Sequence, residues 1–414
     1  MADSAQPARA SNGTHNAVLA GFLGWTFDAF DFFVLTFALE HIGREFGKTH
    51  ADMALTIAAT LATRWIGAIV FGLLADRYGR RIPLIVNILY YSLVEVLSGL
   101  APNYRVFFFL RLLYGIGMGG EWGVGASLTM ESIPPKWRGL ISGFLQEGYA
   151  LGYLLAAVAY GLIYPHWGWR PLFFVGGVPA LLTLFVRAKV KEPEAWHRSR
   201  TDWTGYRRAI FGNLRRFAYL VLLMAMVNFI SHGTQDMYPT YLQSQHGFSP
   251  ERTSSITAFA MFGAILGGLG FGYFSDHKGR RRAMVTALLL GCLLIPMWVF
   301  APNFWIMLAG GFLMQFMVQG AWGVIPAHIN ELSPDALRGF FPGLAYQLGV
   351  LIASGSAYFE ARMAHSMSYG RAMGLFALIV LVAGAMVVWF GPEDHRVEFG
   401  RSGSAALQGT GVKI

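Results

Sequence analysis

The chain has 414 residues, of which 55% are hydrophobic and only 13% are charged. A soluble domain carries roughly 25% charged residues, so the composition excludes an ordinary soluble protein. The net charge of +9 would suit a nucleic-acid-binding protein, but the positive residues are concentrated in a few loops, and we expect no nucleic-acid partner. The single cysteine, Cys292, lies in an apolar run, which excludes an intrachain disulfide and gives no indication of a metal site.

Twelve apolar runs follow one another along the chain, each about as long as a helix that crosses a bilayer. In the first half they lie near residues 17–42, 53–74, 83–101, 104–128, 139–164 and 170–188. In the second half they lie near residues 217–245, 253–274, 283–301, 304–330, 339–363 and 370–390. We therefore expect an all-α membrane protein with twelve transmembrane helices.

The loops that follow the even-numbered runs are basic, as in "DRYGRR" at 76–81 and "DHKGRRR" at 276–282, whereas the opposite loops carry little charge. Under the positive-inside rule the basic loops and both termini are cytoplasmic. The polar residues 1–16 and 392–414 are predicted to be disordered tails. A multi-pass protein of the plasma membrane, and specifically of a bacterial inner membrane, is expected.

The sequence repeats itself at an offset of 200 residues without a gap. "GLLADRYGRR" at 72–81 returns as "GYFSDHKGRR" at 272–281, and "APN" at 101–103 returns at 301–303. A third, longer stretch beginning "GEWGVG" at residue 120 returns as "GAWGVI" at residue 320. Three matches in one register indicate duplicated six-helix halves. We expect one bundle over 17–188, a second over 217–391 and a basic linker over 189–216.

The stretch at 72–81 resembles the loop motif of the major facilitator superfamily, and "RLLYGIG" at 111–117 resembles its fourth-helix motif. The resemblance covers essentially the whole chain and implies two pseudo-symmetric bundles that rock around a central site. We expect Asp76 to meet a helix N-terminus or a basic residue of the other half and so to latch one conformation. The predicted latch residues are Gly72, Asp76, Arg77, Arg111 and Asp276.

Charged side chains inside a membrane helix cost roughly 2.5–3.5 kcal/mol each, so they are functional candidates. Asp28 and Asp31 are three residues apart and share a helix face. Two carboxylates in a poorly hydrated cavity do not both ionise easily, so one is expected to carry a proton. The alternative is that one of them forms a structural bridge with a nearby arginine. Weaker candidates are Glu95, Glu121, Glu147, His328 and Glu360.

Arg64 lies in the middle of the second run. Its guanidinium stays charged and presents a planar fork that fits a carboxylate. It either pairs permanently with Asp28 or Asp31, or it anchors an anionic substrate.

The seventh run carries a polar stripe, because Asn228, His232 and Asp236 are spaced i, i+4, i+8. Ser231 and Gln235 flank this stripe on the adjacent row. His232 beside Asp236 suggests a proton-responsive couple, since imidazole changes charge in the physiological pH range.

"NFISHGTQDMYPT" at 228–240 resembles the seventh-helix signature of the sialate:proton symporter family, especially its fungal lactate and pyruvate permease branch. "PGLAYQLG" at 342–349 is similar to the eleventh helix of that family. The resemblance implies proton-coupled uptake of monocarboxylates, with an essential arginine at Arg64. The residues to which it assigns substrate binding are Arg64, Asn228, His232, Tyr346 and Gln347.

Proton coupling is assigned to Asp28, Asp31, His232 and Asp236. Further residues expected around the cavity are Gln146, Glu147, Tyr149, Ser231 and Gln235. Trp122 and Trp322 recur at the repeat offset and are interpreted as packing residues.

The sequence thus predicts a proton-coupled symporter of small monocarboxylates, acting as a monomer without a cofactor or a metal. An enzyme is not expected, because the sequence contains no nucleophile–base set, metal cluster or phosphate-binding loop. Three alternatives remain: a larger acid such as sialic or an aromatic acid, coupling to Na⁺, and a ligand sensor that does not transport.

Overall fold

The computed structural model describes residues 12–199, 203–395 and 397–400. Within these ranges the regular secondary structure is helical and contains no strand, which confirms the predicted all-α class. The predicted N-terminal tail lies outside the described residues up to residue 11, and the first helix begins at Asn12. Residues 401–414 of the predicted C-terminal tail also lie outside them.

The described helices of the first half and of the linker follow the order of the predicted spans. They are α1 (Asn12–Glu45), α2 (His50–Tyr78), α3 (Arg81–Gly99), α4 (Tyr104–Ser132), α5 (Arg138–Gln146), α6 (Gly148–Trp167), α7 (Arg170–Val175), α8 (Pro179–Lys189), α9 (Glu194–Ser199) and α10 (Trp203–Gly212). The fifth predicted span is therefore divided at Glu147 into α5 and α6, and the sixth is formed by α7 and α8.

The second half repeats this order. Its helices are α11 (Leu214–Gln235), α12 (Tyr238–His246), α13 (Pro250–Lys278), α14 (Arg280–Val299), α15 (Phe304–Leu332), α16 (Phe341–Ala353), α17 (Ser356–Ala364) and α18 (Tyr369–Phe390). The seventh predicted span is divided between α11 and α12, where Pro239 occupies the first turn of α12. The eleventh is divided between α16 and α17.

Among the described residues, nine helical segments are long and apolar enough to cross a membrane. The other three predicted spans correspond to α4, to α7 with α8, and to α16 with α17. The helix order therefore accommodates all twelve predicted spans.

The repeated "APN" segment shows how the duplication appears in local structure. Asn103 caps α4 by accepting a hydrogen bond from Val106 N at 3.1 Å, and Asn303 caps α15 by accepting one from Ile306 N at 3.0 Å. An asparagine in this position satisfies a backbone N–H that the helix itself leaves unpaired. The same three residues thus begin the same helix in each half.

Each half has its own apolar core. The core of the second half also includes Trp25, Ala68 and Trp122 of the first half, so the two cores meet at the interface.

The two halves contact each other at one end of the molecule. There α5 packs against α13 and α15, and α16 packs against α2 and α4. We call this the basic end, because it carries the α2–α3, α4–α5, α13–α14 and α15–α16 connections. The helices that continue toward the opposite end pack chiefly within their own halves, α6 against α1 and α17 against α18. The halves are therefore joined at the basic end and separate toward the opposite end.

Candidate functional site

Arg64 lies on α2 at the interface between the halves. The backbone of α4 touches it, because a Cβ atom at Gly119 would come within 1.7 Å of the Arg64 carbonyl oxygen. The arginine is 5% exposed, and its Nε and Nη2 have no hydrogen-bond partner among the described residues. A buried cation with unsatisfied donors is costly to maintain. Its surroundings therefore favour an anion.

Asp28 is an acid that faces Arg64. It is fully buried on α1 and lies within electrostatic range of Arg64, Glu95 and Glu121. Neither of its carboxylate oxygens has a hydrogen-bond partner among the described residues. The Asp28 carboxyl thus lies near Arg64 without occupying its Nε and Nη2 donors, so the structure does not show the permanent hydrogen-bonded pair considered above.

Asp31 faces a different cation. Its neighbours are Glu95 and Arg111, and all three side chains are buried. Arg111 Nη2 donates to Glu95 Oε2 at 2.6 Å and to Ser98 Oγ at 2.5 Å. Two acids share one cation here, so the group is electrically balanced when one acid holds a proton.

The position of Arg111 differs from its predicted place in the latch. It lies inside the first half between α3 and α4, because Glu95 and Ser98 of α3 receive its guanidinium. Its role in the structure is that of a counter-ion to buried acids.

Tyr346 on α16 lies among three tryptophans from both halves. Its ring centroid is 4.7 Å from that of Trp122, 5.9 Å from that of Trp322 and 6.4 Å from that of Trp25. Arg64 Cζ lies 5.5 Å from the same tyrosine ring. The repeat-related tryptophans, interpreted from the sequence as packing residues, therefore meet on one tyrosine beside the buried arginine.

Tyr149 on α6 extends this group toward the end at which the halves separate, which we call the open end. Its ring stacks on Trp25 with centroids 5.5 Å apart. It is 38% exposed, yet it lies within electrostatic range of Arg64 in the first half and Asp236 in the second. Its exposed part thus faces the space between the halves. We call Trp25, Trp122, Tyr149, Trp322 and Tyr346 the aromatic cluster.

Gln347 crosses the interface next to Arg64. Its Nε2 donates to the carbonyl oxygen of Gly119 at 3.4 Å, and its Oε1 has no partner among the described residues. Tyr346 and Gln347, predicted from the eleventh-helix resemblance, therefore both lie beside the predicted arginine.

The polar stripe of the seventh span divides into a buried part and an accessible part. Asn228 is 3% exposed, and its amide donates to Met224 O at 2.8 Å within α11. His232 Nδ1 lies 3.1 Å from Asp236 Oδ2, and both side chains are about two-fifths exposed. The predicted histidine–aspartate pair is thus present and reachable, whereas Asn228 is bonded to its own helix.

The flanking residues make contacts within the second half. Gln235 Nε2 donates to Gln315 Oε1 at 2.9 Å, and Ser231 is partly exposed. Glu360 on α17 is 1% exposed and lies within electrostatic range of Asp236. Asp236 therefore stands between an accessible histidine and a buried acid.

The remaining predicted cavity residues lie at the helix break of the fifth span. Gln146 is partly buried, and the Glu147 carboxylate lies against Gly268 of α13 in the other half. His328, a weaker candidate, is fully buried on α15 near Arg280 and Arg281 at the basic end. It does not belong to the group around Arg64.

At the basic end, two acids join the halves through backbone donors. Asp76 accepts hydrogen bonds from the N–H groups of residues 339–340 at 2.6 and 3.0 Å, just before α16 begins. Asp276 accepts hydrogen bonds from the N–H groups of residues 139–140 at 2.8 and 2.9 Å, at the start of α5. Carboxylates at helix N-termini are favourable because they satisfy free donors and face the positive end of the dipole.

Buried arginines extend these contacts. Arg80 bridges Asp76 at 2.5 Å and Glu131 at 2.7 Å. At the repeat-related position, Arg280 bridges Asp276 at 2.7 Å and Glu331 at 2.9 Å.

The predicted glycine of this region permits the two halves to touch. A Cβ atom at Gly72 would come within 2.9 Å of the Phe340 Cα atom, so a side chain there would push the halves apart. Arg77 lies beside these contacts and is partly exposed at the end of α2.

Comparisons with known proteins identify the kind of molecule. The sequence profile of the Major Facilitator Superfamily matches residues 21–268 and again residues 221–408. The crystal structure of the proton:xylose symporter XylE superposes with a TM-score of 0.76 at 18% identity, covering 96% of this chain and 100% of that one. This similarity confirms the predicted fold of two six-helix bundles.

Several transporters are similar in sequence. The probable 4-methylmuconolactone transporter of Cupriavidus pinatubonensis is 30% identical over 93% of this chain and 92% of its own length. The sialic acid transporter NanX of Escherichia coli is 28% identical over 91% of this chain and 93% of its own. The carboxylic acid transporter protein homolog of Saccharomyces cerevisiae is 28% identical over 84% of this chain, which spans 61% of that protein's length. The match to NanX agrees with the predicted resemblance to sialate:proton symporters.

Proposed function

This chain belongs to the major facilitator superfamily, and we propose that it carries an organic monocarboxylate across the membrane together with a proton. It is a multi-pass membrane transporter and not an enzyme, as its family and relatives show. The observation that carries the proposal is Arg64, a buried cation between the two halves whose Nε and Nη2 have no acceptor among the described residues.

A carboxylate is the anion that best fits this position. The guanidinium offers parallel N–H donors that bind both oxygens of a carboxylate at once. The relatives named for 4-methylmuconolactone, sialic acid and carboxylic acids support an organic acid as substrate. Tyr346 and Gln347 lie beside the arginine and supply orienting contacts.

Charge balance supports proton coupling. The first half buries four acids around two cations, Arg64 and Arg111; the acids are Asp28, Asp31, Glu95 and Glu121. A substrate carboxylate adds another negative charge to this group. Because uncompensated charge is costly in a poorly hydrated site, substrate binding favours uptake of a proton. The accessible pair of His232 and Asp236 offers a place where a proton enters from the open end.

The direction of uptake follows from the loops. If the basic loops face the cytoplasm, the basic end is the inner end and the structure represents an outward-open state. Breaking the contacts of Asp76 and Asp276 then allows the halves to close around the substrate and to open inward. The neutralised, loaded site lowers the cost of that closure.

Small monocarboxylates such as lactate and pyruvate are the first substrates to test, because the seventh-helix pattern resembles lactate and pyruvate permeases. A larger unsaturated acid is the second candidate, and the aromatic cluster beside Arg64 favours it.

The test is transport of labelled lactate, pyruvate and benzoate by the purified protein in proteoliposomes. With an acidic outside, we expect accumulation that disappears when an ionophore collapses the gradient. Arg64→Ala is expected to abolish uptake, whereas Arg105→Ala, at an exposed arginine of α4, is expected to retain it. Uptake by Arg64→Ala at the wild-type rate would refute the role of Arg64 as the substrate anchor. Binding of the acids without uptake would indicate a ligand sensor. Uptake that depends on a Na⁺ gradient would show that Na⁺, and not a proton, is the coupling ion.

A further inference from the structure

The aromatic cluster is rich in unsatisfied donors. Trp25, Trp122 and Trp322 are 4% exposed or less, and none of their indole N–H groups has an acceptor among the described residues. Together with Nε and Nη2 of Arg64, these donors point to a ligand that accepts hydrogen bonds and lies against aromatic rings.

We propose that this site selects flat carboxylates, in which the carbon next to the carboxylate belongs to a planar conjugated system, over saturated acids of equal size. The proposal rests on the proposed function, because it assumes that Arg64 binds the carboxylate. It narrows the substrate class to 2-oxo acids, 2-enoic acids and aromatic acids.

Aromatic ring faces lie near the arginine that would hold the carboxylate. Arg64 lies beside the ring of Tyr346, and Tyr149 is the most exposed member of the cluster within electrostatic range of that arginine. A planar acid held on Arg64 can lie against these rings and keep close contact across its whole face. A tetrahedral carbon at the same position carries atoms out of the plane and separates the acid from the rings.

The experiment compares acids in matched pairs, namely pyruvate with lactate and benzoate with cyclohexanecarboxylate. Inhibition constants are measured against uptake of labelled benzoate in proteoliposomes. We expect the flat member of each pair to bind more tightly, on the order of threefold to tenfold, which is the range for stacked aromatic contacts. Tyr149→Leu should bring the ratio toward one, whereas Tyr149→Phe, which keeps the ring, should preserve it.

Equal constants within each pair would overturn the inference while leaving carboxylate transport intact. The same conclusion would follow if Tyr149→Leu and Trp25→Leu both left the ratio unchanged. Failure to take up any of these acids would instead refute the proposed function, so the two outcomes are distinguishable.

The segment after the last helix contacts both halves of the protein. Phe399 is 6% exposed and lies between two guanidinium groups, with Arg138 Cζ 3.4 Å and Arg338 Cζ 3.7 Å from its ring centroid. Arg138 begins α5 in the first half, and Arg338 precedes α16 in the second half. The phenyl ring therefore bridges the two halves at the basic end.

Further contacts fix the segment in this position. Arg138 Nη1 donates to Val397 O at 2.5 Å, and Gly400 N donates to Asp335 Oδ2 at 3.2 Å. The Phe399 ring also joins an apolar group that contains Ala126 of the first half and Ala327 of the second. Each arginine in addition pairs with an acid of the opposite half, Arg138 with Glu331 at 3.7 Å and Arg338 with Glu131 at 3.6 Å.

We propose that residues 397–400 form a clasp that holds the basic end closed and slows its opening. Separation of the halves must remove at least one guanidinium from the face of Phe399, and desolvated cation–π contacts resist such removal. The clasp makes the rate of opening depend on a part of the chain outside the twelve spans.

The test measures opening at the basic end directly. Ser142 on α5 is fully buried and accepts a hydrogen bond from Ala327 N of the other half at 3.0 Å. In a Cys292→Ala background, Ser142→Cys is modified by a thiol reagent only when this interface opens. We expect Phe399→Ala to accelerate labelling about threefold to tenfold, and a chain ending at residue 396 to do the same.

Val397→Ala is the matched control, because the side chain of Val397 is exposed and only its carbonyl oxygen is used. It should label like the parent protein. Unchanged labelling in both Phe399→Ala and the shortened chain, at unchanged thermal stability, would overturn the proposal.

Discussion

Asp76 and Asp276 lie one repeat apart, and each accepts two backbone hydrogen bonds from residues at or just before the start of a helix in the opposite half. Each acid also receives a buried arginine from four residues further along its own half. The interface at the basic end is therefore held by two equivalent contacts, one from the first half to the second and one from the second half to the first. Its strength depends on two carboxyl side chains.

Replacing Asp76 by Asn is expected to favour opening at the basic end. The amide keeps the size but accepts only one of the two backbone hydrogen bonds and loses the charge that strengthens them. A hydrogen bond to a charged group contributes about 1.5–3 kcal/mol, so labelling of Ser142→Cys should rise by at least about tenfold. Glu40→Gln, at an exposed acid of α1, is the control. A labelling rate equal to that of the control would show that Asp76 does not hold this state closed.

Arg64→Lys is expected to weaken carboxylate binding by about tenfold or more, and Arg64→Ala by more. Lysine keeps the positive charge but lacks the planar fork that binds two oxygens. Dissociation constants from titration of the purified protein with benzoate and pyruvate test this expectation. Arg105→Lys controls for a general effect of the substitution. Equal affinity for Arg64→Lys would mean that the arginine acts only as a point charge.

Asp31→Asn is expected to uncouple substrate transport from the proton gradient. The amide cannot exchange a proton, and the acid that remains, Glu95, is already hydrogen-bonded to Arg111 at 2.6 Å. Accumulation driven by an acidic outside should disappear, while exchange of labelled acid across the membrane should persist. Glu40→Gln, at an exposed acid of the same helix, should retain both activities. If Asp31→Asn loses exchange and accumulation to the same degree, its role is structural.

His232→Gln and Asp236→Asn test the accessible pair in the same assays. Because both side chains of the pair are about two-fifths exposed, the wild-type uptake rate should vary with external pH if the proton enters here. The substitutions should flatten this dependence. An unchanged pH profile in both variants would place proton entry elsewhere.

Glu192→Ala is expected to destabilise the protein by about 1 kcal/mol, the usual cost of a lost helix cap. The Glu192 carboxylate, in the linker, accepts hydrogen bonds from Arg80 N and Arg81 N at 2.8 Å each, at the start of α3. Thermal unfolding in detergent measures the effect. Glu194→Ala is the control, since its salt bridge with Arg198 is exposed and contributes little.

The loss of stability caused by Glu192→Ala should depend on pH. Burial raises the pKa of Glu192 above its ordinary value of 4.5. The folded protein therefore holds this proton more tightly than the unfolded chain does, and the stability from Glu192 decreases as the pH rises through the raised pKa. The decrease in the free energy of unfolding caused by Glu192→Ala should be smaller at pH 8 than at pH 5. A larger cost at pH 8 would contradict this assignment.

The spans and the repeat could be predicted from the sequence because both leave periodic signals. Apolar runs of bilayer length marked the helices, and the 200-residue offset marked the two halves. The pairing of His232 with Asp236 was also predictable, since i, i+4 spacing brings two side chains together on any helix.

The contacts between distant segments were not predictable in the same way. Arg111 resembled a superfamily motif, but only the packing of α3 on α4 shows that its partner is Glu95. Phe399 lies in a polar tail without periodicity, and the two arginines on either side of it are 261 and 61 residues away in sequence. For Trp122 and Trp322 the repeat was visible, but their meeting on Tyr346 depends on how the halves dock.

The use of main-chain donors at the basic end makes the two sides of each contact unequally sensitive to mutation. Every residue except proline presents an N–H group, so almost any substitution at positions 139, 140, 339 or 340 preserves the donor. The acceptors at 76 and 276 have no such tolerance, because only one side-chain type supplies a short carboxylate. Genetic variation should therefore be tolerated better at positions 140 and 340, which already carry side chains, than at the two acceptors. Positions 139 and 339 are restricted by space instead, because a Cβ atom at Gly139 would come within 2.3 Å of Gly272 O and one at Gly339 within 2.8 Å of Asp76 Oδ1.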